Sequence, residues 1–535
     1  MEHSSRIGGN RNLVDAGVRG SYALGPSPRK RCVLLDPGAV ESIARFRQIL
    51  ESRGYLGPKA AEILGSGFGP NHLRADLPLY LRRLAAPEPL NVLIKLFGLY
   101  VAVGEEEARA AFAPMTLDEA TALGVVELHD GMARAAVGLV TTGSLVLARD
   151  RFDEETRALR ADHVLGLNPP ALNLARLTVR RPVKTVLDLG CGGGVQALLA
   201  ARHAARVVAV DINPRALAFT RFNAALNGVA NVDCREGSFF APVRGERFDL
   251  IVCNPPFTIS PDSRYVFRDA GRESDAVCEE VVRGAAAHLE ENGFATVLCN
   301  WALREGEEPS APPRRWVDGS GCDAWVLVSD VQDPLTYAAG WNRGARDYEA
   351  ALDRWVAYDR QHGIARIGMG AVILRRRALG SNWVRADNLP DGPTDACDTQ
   401  IRRVFEGQDR LRDLESDEAL FAEAFRAAED HQVHEVLVPR AGGYAVASRE
   451  LRLTGGLGFR GAADAHTLEL LRRCDGRRSL AQIVEEMAAE SDVAPDVLAA
   501  GVKGAVRRLV AMGFMVPVAD REEGRKTDGG SLEVA

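Results

Sequence analysis

The chain lacks any apolar run approaching the roughly 20 residues that a membrane-crossing helix needs, and none of its nine cysteines is spaced as C-x-x-C. The first absence speaks against a helical membrane protein. The second argues against a zinc cluster or a disulfide framework, so no metal is expected and a reducing, cytoplasmic setting is. Basic excess is missing too: 66 Lys and Arg face 73 Asp and Glu, a net charge of −7. A domain that binds nucleic acid over an extended surface is usually basic as a whole, so only local patches such as Arg180-Arg181, Arg314-Arg315 and Arg375-Arg376-Arg377 could serve that role. The stretch from Met1 to Arg31 has no apolar core of a secretory signal, and no internal sequence repeat is visible.

With 46% hydrophobic and 26% charged residues, the composition is that of a globular protein, and 535 residues exceed what one core can organise. Residues 1–35 and 521–535 read as disordered tails. Residues 36–155 form a first domain, helical at Val40–Arg53, Leu77–Leu84 and Glu105–Ala113. It then turns strand-like on both sides of Thr141-Thr142-Gly143, a hairpin turn. Helices followed by a small hairpin suggest a winged-helix-like module, a type that binds nucleic acid, binds protein or only packs.

Residues 156–385 alternate strands and helices, the signature of an α/β doubly wound sheet. Seven strands are expected: Thr185–Leu189, Arg206–Val210, Val232–Arg235, Phe248–Cys253, Ala295–Cys299, Ala324–Val328 and Gly370–Leu374. Past the linker-like Asn388-Leu389-Pro390-Asp391-Gly392-Pro393, residues 386–520 form a third domain. Its helical patterns Ser479–Glu490 and Pro495–Met512, followed by Gly513–Pro517, resemble a winged-helix unit of the PqqD-like recognition modules.

Two stretches carry the chemistry. In Val186-Leu187-Asp188-Leu189-Gly190-Cys191-Gly192-Gly193-Gly194, glycines directly follow a buried strand, where a backbone can turn sharply and approach a ligand closely. A dinucleotide loop beginning at Gly190 would want a small residue at 195, which is Val195. An acidic residue two positions before the first glycine, Asp188, is typical of S-adenosylmethionine loops, placed to engage the cofactor's ammonium group. The second strand ends in Asp211, followed by Ile212; Asp211 either accepts the two ribose hydroxyls or caps the helix beginning near Pro214. Proteins that this loop resembles often carry an acidic residue for the adenine amino group at the third strand's end; here Ser238 stands at that position, and Phe239 is the expected substitute contact on the adenine face. Gly190, Cys191, Gly192, Gly194, Asp211, Ile212, Ser238, Phe239 and Asn254 join Asp188 as the expected cofactor-binding set.

The fourth strand runs into Asn254-Pro255-Pro256-Phe257. Two prolines cannot continue a central strand, since neither donates a ladder hydrogen bond. They fix a rigid turn beside the cofactor loop. The Asn254 amide and the Pro255 carbonyl offer acceptors for both hydrogens of a planar NH2 group, and Phe257 offers a flat surface for stacking. Asn168-Pro169-Pro170 repeats the triplet without a clear preceding strand and reads as a loop or helix entry, at most a wall of the pocket.

With these motifs the region resembles the class I methyltransferases of the "small domain" group that carry (N/D/S)-P-P-(Y/F). That group includes ribosomal RNA guanine-N2, adenine-N6 and HemK-like glutamine-N5 methyltransferases. The resemblance implies S-adenosyl-L-methionine as cofactor, Asn254, Pro255, Pro256 and Phe257 as catalytic residues, and a methyl acceptor nitrogen bonded to an sp2 carbon. Phenylalanine in the fourth motif position leans toward a base in RNA. A protein glutamine is the alternative, and a peptide or small-molecule substrate or a non-catalytic scaffold also remains open. Arg264 and Arg268, in the polar loop after the motif, are expected substrate contacts.

Overall fold

The computed structural model describes residues 35–65, 76–151, 159–269, 271–378, 381–389, 391–414, 416–491 and 493–518. The expected tails thus fall outside the described residues except for Leu35. The chain divides into two compact units, the second made of residues 176–179 and those from 391 onward.

The first unit opens with helices because its apolar residues recur every three or four positions. Helix α1 (Val40–Ser52) buries Ile43, Phe46, Ile49 and Leu50 on one face, the spacing of a helical stripe. Helices α2 (Pro58–Leu64), α3 (Leu77–Arg83) and α4 (Pro89–Leu93) follow, the last continuing into a single π-helical turn at Ile94–Gly98. Then come β1 (Val103–Gly104), α5 (Glu105–Phe112) and α6 (Leu117–Ala122), which starts at a capping box between Thr116 and Glu119. Strands β2 (Val126–His129) and β3 (Met132–Ala135) join β1 in a small sheet. Strands β4 (Val137–Thr142) and β5 (Leu145–Asp150) form the expected hairpin.

The chain then lays down α7 (Pro169–Leu177), β6 (Val183–Leu189), α8 (Val195–Ala200), β7 (Ala204–Asp211), α9 (Pro214–Leu226), β8 (Val232–Glu236) and β9 (Phe248–Cys253). Next are α10 (Ala276–His288), β10 (Leu289–Leu303), α11 (Ala311–Val317), β11 (Cys322–Gln332), α12 (Pro334–Asn342), α13 (Tyr348–Gln361), β12 (Arg366–Arg376) and β13 (Val384–Asn388). The sheet order is β13-β11-β12-β10-β9-β6-β7-β8. From β8 to β10 neighbours run parallel, whereas β12 is antiparallel to both β10 and β11. All seven expected strands are present in this α/β sheet. The sheet nevertheless has eight: β13 adds in parallel to β11. It escapes a hydropathy reading because it is a short polar edge strand in which Arg385 and Asp387 pair and Trp325 Nε1 donates to Asp387 at 2.8 Å. The run Arg375-Arg376-Arg377 is not a uniform basic patch, since Arg375 is 4% exposed and bound to Asp323 at 2.8 Å.

Helix α9 ties the N-terminal helices to the sheet. Its Ala216, Phe219, Phe222 and Leu226 belong to the same apolar core as Ile43, Phe46 and Phe97. Its polar residues make a second connection. Asn227 Oδ1 accepts Val146 N–H at 3.0 Å while its Nδ2 donates to Val146 O at 2.7 Å. One turn earlier, Asn223 treats Ala148 the same way, at 2.7 and 2.9 Å, and also donates to Gly193 O at 2.8 Å. Two side-chain amides at i and i+4 thereby satisfy the outer edge of β5, which would otherwise leave buried backbone groups unpaired.

The second unit contains α14 (Asp398–Asp413), α15 (Asp417–Ala422), β14 (Ala424–Ala427), β15 (His431–Arg440), β16 (Gly443–Leu453) and β17 (Arg460–Ala462). It continues with α16 (Ala465–Arg473), β18 (Asp475–Ser479), α17 (Leu480–Ala489), α18 (Pro495–Ala511) and β19 (Met515–Pro517). The two helices expected at Ser479–Glu490 and Pro495–Met512 are α17 and α18, and the segment after them carries β19; Ser479 and Gln482 form a capping box that starts α17. The pair β15 and β16, a long hairpin with Val436, Leu437 and Tyr444 exposed, was not anticipated.

Asn223→Ala is expected to lower stability by at least about 2 kcal/mol, because three buried backbone groups lose their partner at about 1–3 kcal/mol each. Urea unfolding followed by circular dichroism measures this, and a change under about 0.5 kcal/mol would contradict the edge-pairing role.

Candidate active site

The chain leaves central strand β6 for β7 and β8 on one side and returns to β9 on the other. In an open parallel sheet, that reversal opens a crevice beyond the carboxyl ends of the two strands. Leu189 and Cys253 stand opposite each other in register, so Gly190 and Asn254 leave the sheet side by side. A Cβ placed on Gly190 would lie 3.9 Å from the Asn254 carbonyl oxygen. A cavity of about 460 Å³ opens here, within the size range of cofactor sites.

Gly190, Gly192 and Gly194 have φ of 72°, 55° and 81°, the left-handed region that favours glycine. At Gly194 space also matters, because a Cβ would come within 2.9 Å of Thr220 Cγ2. Helix α9 holds this loop from below: Thr220 Oγ1 donates to Gly192 O at 2.9 Å, next to the Asn223 bond to Gly193. Cys191 is buried against Thr220 Oγ1 at 3.4 Å, and burial pushes its thiol up, so it is a wall and no nucleophile.

The two expected carboxylates flank the loop. Asp188 is 2% exposed; its Oδ2 accepts Ala197 N–H at 2.8 Å, leaving the other oxygen for a ligand. Burial first, and the neighbouring Asp211 charge after it, push its carboxyl up to about 7. Asp211 accepts Gly192 N–H at 2.8 Å through Oδ2 and Asn213 N–H at 2.9 Å through Oδ1, and burial raises its pKa also. The helix-cap alternative falls to its neighbour, since Asn213 is the N-cap of α9 and accepts Arg215 N–H. Each Asp211 oxygen keeps a lone pair for a hydroxyl.

Beyond Asp211, Ile212 is a 58% exposed apolar side chain lining the cavity, as do Ser238 and Phe239. Phe239 has φ of 44°, an unusual state for a bulky residue that its surroundings must impose. Ile212 and Phe239 together offer apolar surface to a flat ring.

Asn254 lines the same cavity, and its buried Oδ1 has no hydrogen-bond partner among the described residues. Leaving a buried acceptor unpaired costs roughly 1–3 kcal/mol, which a ligand donor would recover. Pro255 is buried and Pro256 lines the cavity. Phe257 is half-buried and meets Trp341 edge-on at 6.5 Å. The chain after the motif is fastened by Tyr337, whose hydroxyl accepts Ile259 N–H at 3.1 Å and the Asn300 amide at 2.9 Å.

The structure adds to the expected site in two places and corrects it in a third. First, residues 163–168 form a cavity wall, with Val266 N–H bonded to Ala161 O and His163 against Phe267 at 6.1 Å. Burial holds the His163 imidazole down to about 4, so it is uncharged at neutral pH. Asn168 belongs to this wall and accepts Ala171 N–H at the start of α7. Second, Gln196 lines the cavity from α8; a polar residue in the apolar run after the glycines was the available signal. Third, Arg268 is not placed to meet a substrate. Its side chain is 3% exposed, bound to Asp269 at 2.7 Å and stacked near Tyr265 and Trp355, so it braces the loop. Arg264 is half-buried over the Tyr265 ring at 5.2 Å. No cluster of metal-ligating side chains occurs among the described residues.

Residues 170–307 match the family model "Methyltransferase small domain". Residues 54–136 and 402–517 match families described as "Domain of unknown function" (DUF7059 and DUF7782). Among curated proteins, the chain is 37% identical over 143 residues to the release factor glutamine methyltransferase of Cereibacter sphaeroides, covering 24% of this chain and 51% of that protein. It is 34% identical over 117 residues to the ribosomal RNA small subunit methyltransferase C of Klebsiella pneumoniae, covering 22% and 31%. The chain therefore spans about half or less of these relatives. Among solved structures it aligns with the ribosomal protein L11 methylase of Lactobacillus delbrueckii subsp. bulgaricus at 19% identity and a TM-score of 0.24, over 40% of this chain and 82% of that one.

The Asp188 carboxyl titrates near 7 when folded and near its ordinary 3.8 when unfolded. Between those values the folded chain holds a proton that the unfolded chain has lost, so this group's contribution to stability falls as pH rises and is most unfavourable above 7. Asp188→Asn keeps an acceptor for Ala197 and removes the charge. The variant is expected to melt several degrees above the unsubstituted protein at pH 8, with the gap narrowing toward pH 5. Calorimetry of the ligand-free protein checks this, and an equal gap at both pH values would contradict it.

Proposed function

We propose that this chain, with its methyltransferase small domain at residues 170–307, transfers a methyl group from S-adenosyl-L-methionine to a planar NH2 nitrogen bonded to an sp2 carbon, carried by a base in RNA. The observation that carries this reading is the buried Asn254 Oδ1 at the end of β9, without a hydrogen-bond partner among the described residues, in a residue that lines the cavity beside the glycine loop. The cavity fits the cofactor chemically. Asp188 suits an ammonium group, Asp211 a pair of hydroxyls, and Ile212 with Phe239 a flat base, while the open space above Gly192 admits close backbone approach.

When bound, the cofactor supplies an electrophilic methyl on a sulfonium. The protein's part is placement. Asn254 Oδ1 and the Pro255 carbonyl accept the two N–H hydrogens, which fixes the NH2 plane and aims its lone pair. Prolines 255 and 256 keep those acceptors rigid, and Phe257, which meets Trp341 and is not among the residues lining the cavity, backs the turn. The methyl would pass to the lone pair that Asn254 and Pro255 aim, the sulfonium sulfur would keep the electron pair of the bond given up, and the extra proton on the alkylated nitrogen would go to solvent. No strong base is needed, because the nitrogen becomes acidic once alkylated.

One observation favours a second reading, a glutamine amide in a protein. Two charged residues that line the cavity after the motif are matched with opposite charges: Asp269 with the buried Arg268, and Arg272 with Glu280. Such a mixed-charge rim, with Ile212 and Val266 exposed on it, suits a peptide better than a phosphate backbone.

Transfer of labelled methyl into fractionated cell RNA and cell protein separates the readings. Label in RNA supports the first, label in protein the second, and label in neither overturns both. Asn254→Ala is expected to reduce transfer by about 10²-fold or more while binding of S-adenosylhomocysteine, measured calorimetrically, stays within about threefold. Loss of that binding would mean that Asn254 holds the cofactor rather than the acceptor.

A further inference from the structure

Gln196 has no place in the motifs, yet it is a polar side chain in a helix whose other residues are Val195, Ala197, Leu198, Leu199 and Ala200. It is 6% exposed and lines the cavity. Its Nε2 donates to Ala171 O at 2.7 Å. A carbonyl can only accept, so this bond sets which end of the amide is which. The Oε1 end is turned away from Ala171, buried and without a hydrogen-bond partner. A leucine here would fill the space without stranding an acceptor, so the amide needs a donor that the described residues do not supply.

The neighbouring residue identifies the donor's chemistry. Ala197 N–H bonds Asp188 Oδ2, which places the Asp188 carboxylate beside the same turn of α8, and both residues line one cavity. Both residues thus bring an acceptor side chain to the lining of one cavity, and Gln196 Oε1 has no hydrogen-bond partner among the described residues. A neutral hydroxyl would leave one acceptor poorly served. A primary ammonium carries three N–H donors and a charge that compensates Asp188.

We propose that Gln196 Oε1 and Asp188 jointly hold a primary ammonium group, making Gln196 a specificity-determining residue for ligands that carry a free α-amine. This rests on the cofactor assigned above, whose methionine portion supplies that amine. Asp188 alone would attract any cation; the added amide oxygen demands a cation with several N–H donors.

The test uses the full chain, two probes and one substitution. The probes are S-adenosylhomocysteine and its des-amino analogue, identical except that hydrogen replaces the ammonium group. The substitution is Gln196→Met, which keeps length and apolar bulk and removes the acceptor. Calorimetry is expected to give an unsubstituted protein that prefers the amine-bearing probe, with Gln196→Met reducing that preference about tenfold, as loss of a charge-assisted hydrogen bond implies. Affinity for the des-amino probe should stay within about twofold, which also reports an intact fold. An undiminished preference overturns the role of Gln196 and leaves the cofactor reading standing. Equal loss of both probes also overturns it, since the residue would then merely support the wall. Failure of the unsubstituted protein to bind S-adenosylhomocysteine overturns the cofactor reading and this inference together.

Discussion

The parallel pairing of β6 with β9 is the constraint on which the site depends. Leu189 opposite Cys253 is a register in which both strands end at the same level. Because a strand advances about 3.3 Å per residue and alternates faces, a slip of one residue would turn Asp188 and the motif asparagine to the wrong sides. The register delivers a glycine loop and a rigid Asn-Pro-Pro turn to one crevice. The remaining elements are arranged to keep those two loops in place.

Helix α9 is the main support. It joins the apolar core of the N-terminal helices and uses Thr220, Asn223 and Asn227 to hold the glycine loop and the edge of β5. One helix therefore couples packing to site geometry. On the other side, Tyr337 secures the chain after the motif, and the Arg268–Asp269 pair, buried beside Tyr265 and Trp355, sets the loop that follows. Asp269 Oδ2 also accepts the backbone N–H of Arg264 and Tyr265 at 3.0 Å each. These are hydrogen-bonded networks whose partners are all satisfied, the kind that make a loop rigid.

Against that background the unsatisfied groups stand out. Most buried polar side chains near the cavity have partners, whereas Asn254 Oδ1 and Gln196 Oε1 have none among the described residues. Asp188, nearly inaccessible and raised to about 7, carries a related strain because its charged form lacks a cation. Unpaired acceptors and a desolvated acid in one cavity are what a site built for a ligand with N–H donors and positive charge would show when the ligand is considered apart from it. Stability given up at these points is the physical counterpart of binding.

Local chemistry was enough to read most of the fold and the core of the site. The α/β alternation, seven of the sheet's strands, the turn after Val252-Cys253 and the carboxylates at strand ends follow from periodicity and from the limits that glycine and proline place on a backbone. Even the second Asn-Pro-Pro, at 168–170, could be separated from the first by its lack of a preceding strand. Long-range pairing decided the rest. Whether Arg268 reaches a substrate or is buried depends on Asp269, Tyr265 and Trp355 arriving around it, and Trp355 lies far along the chain. The edge strand β13 is too short and polar to announce itself. The asparagines of α9, the wall at 163–168 and the acceptor of Gln196 acquire meaning only from Val146, Ala148, Phe267 and Ala171, partners that no local pattern names, because a hydrogen bond depends on distance in space and not on separation in sequence.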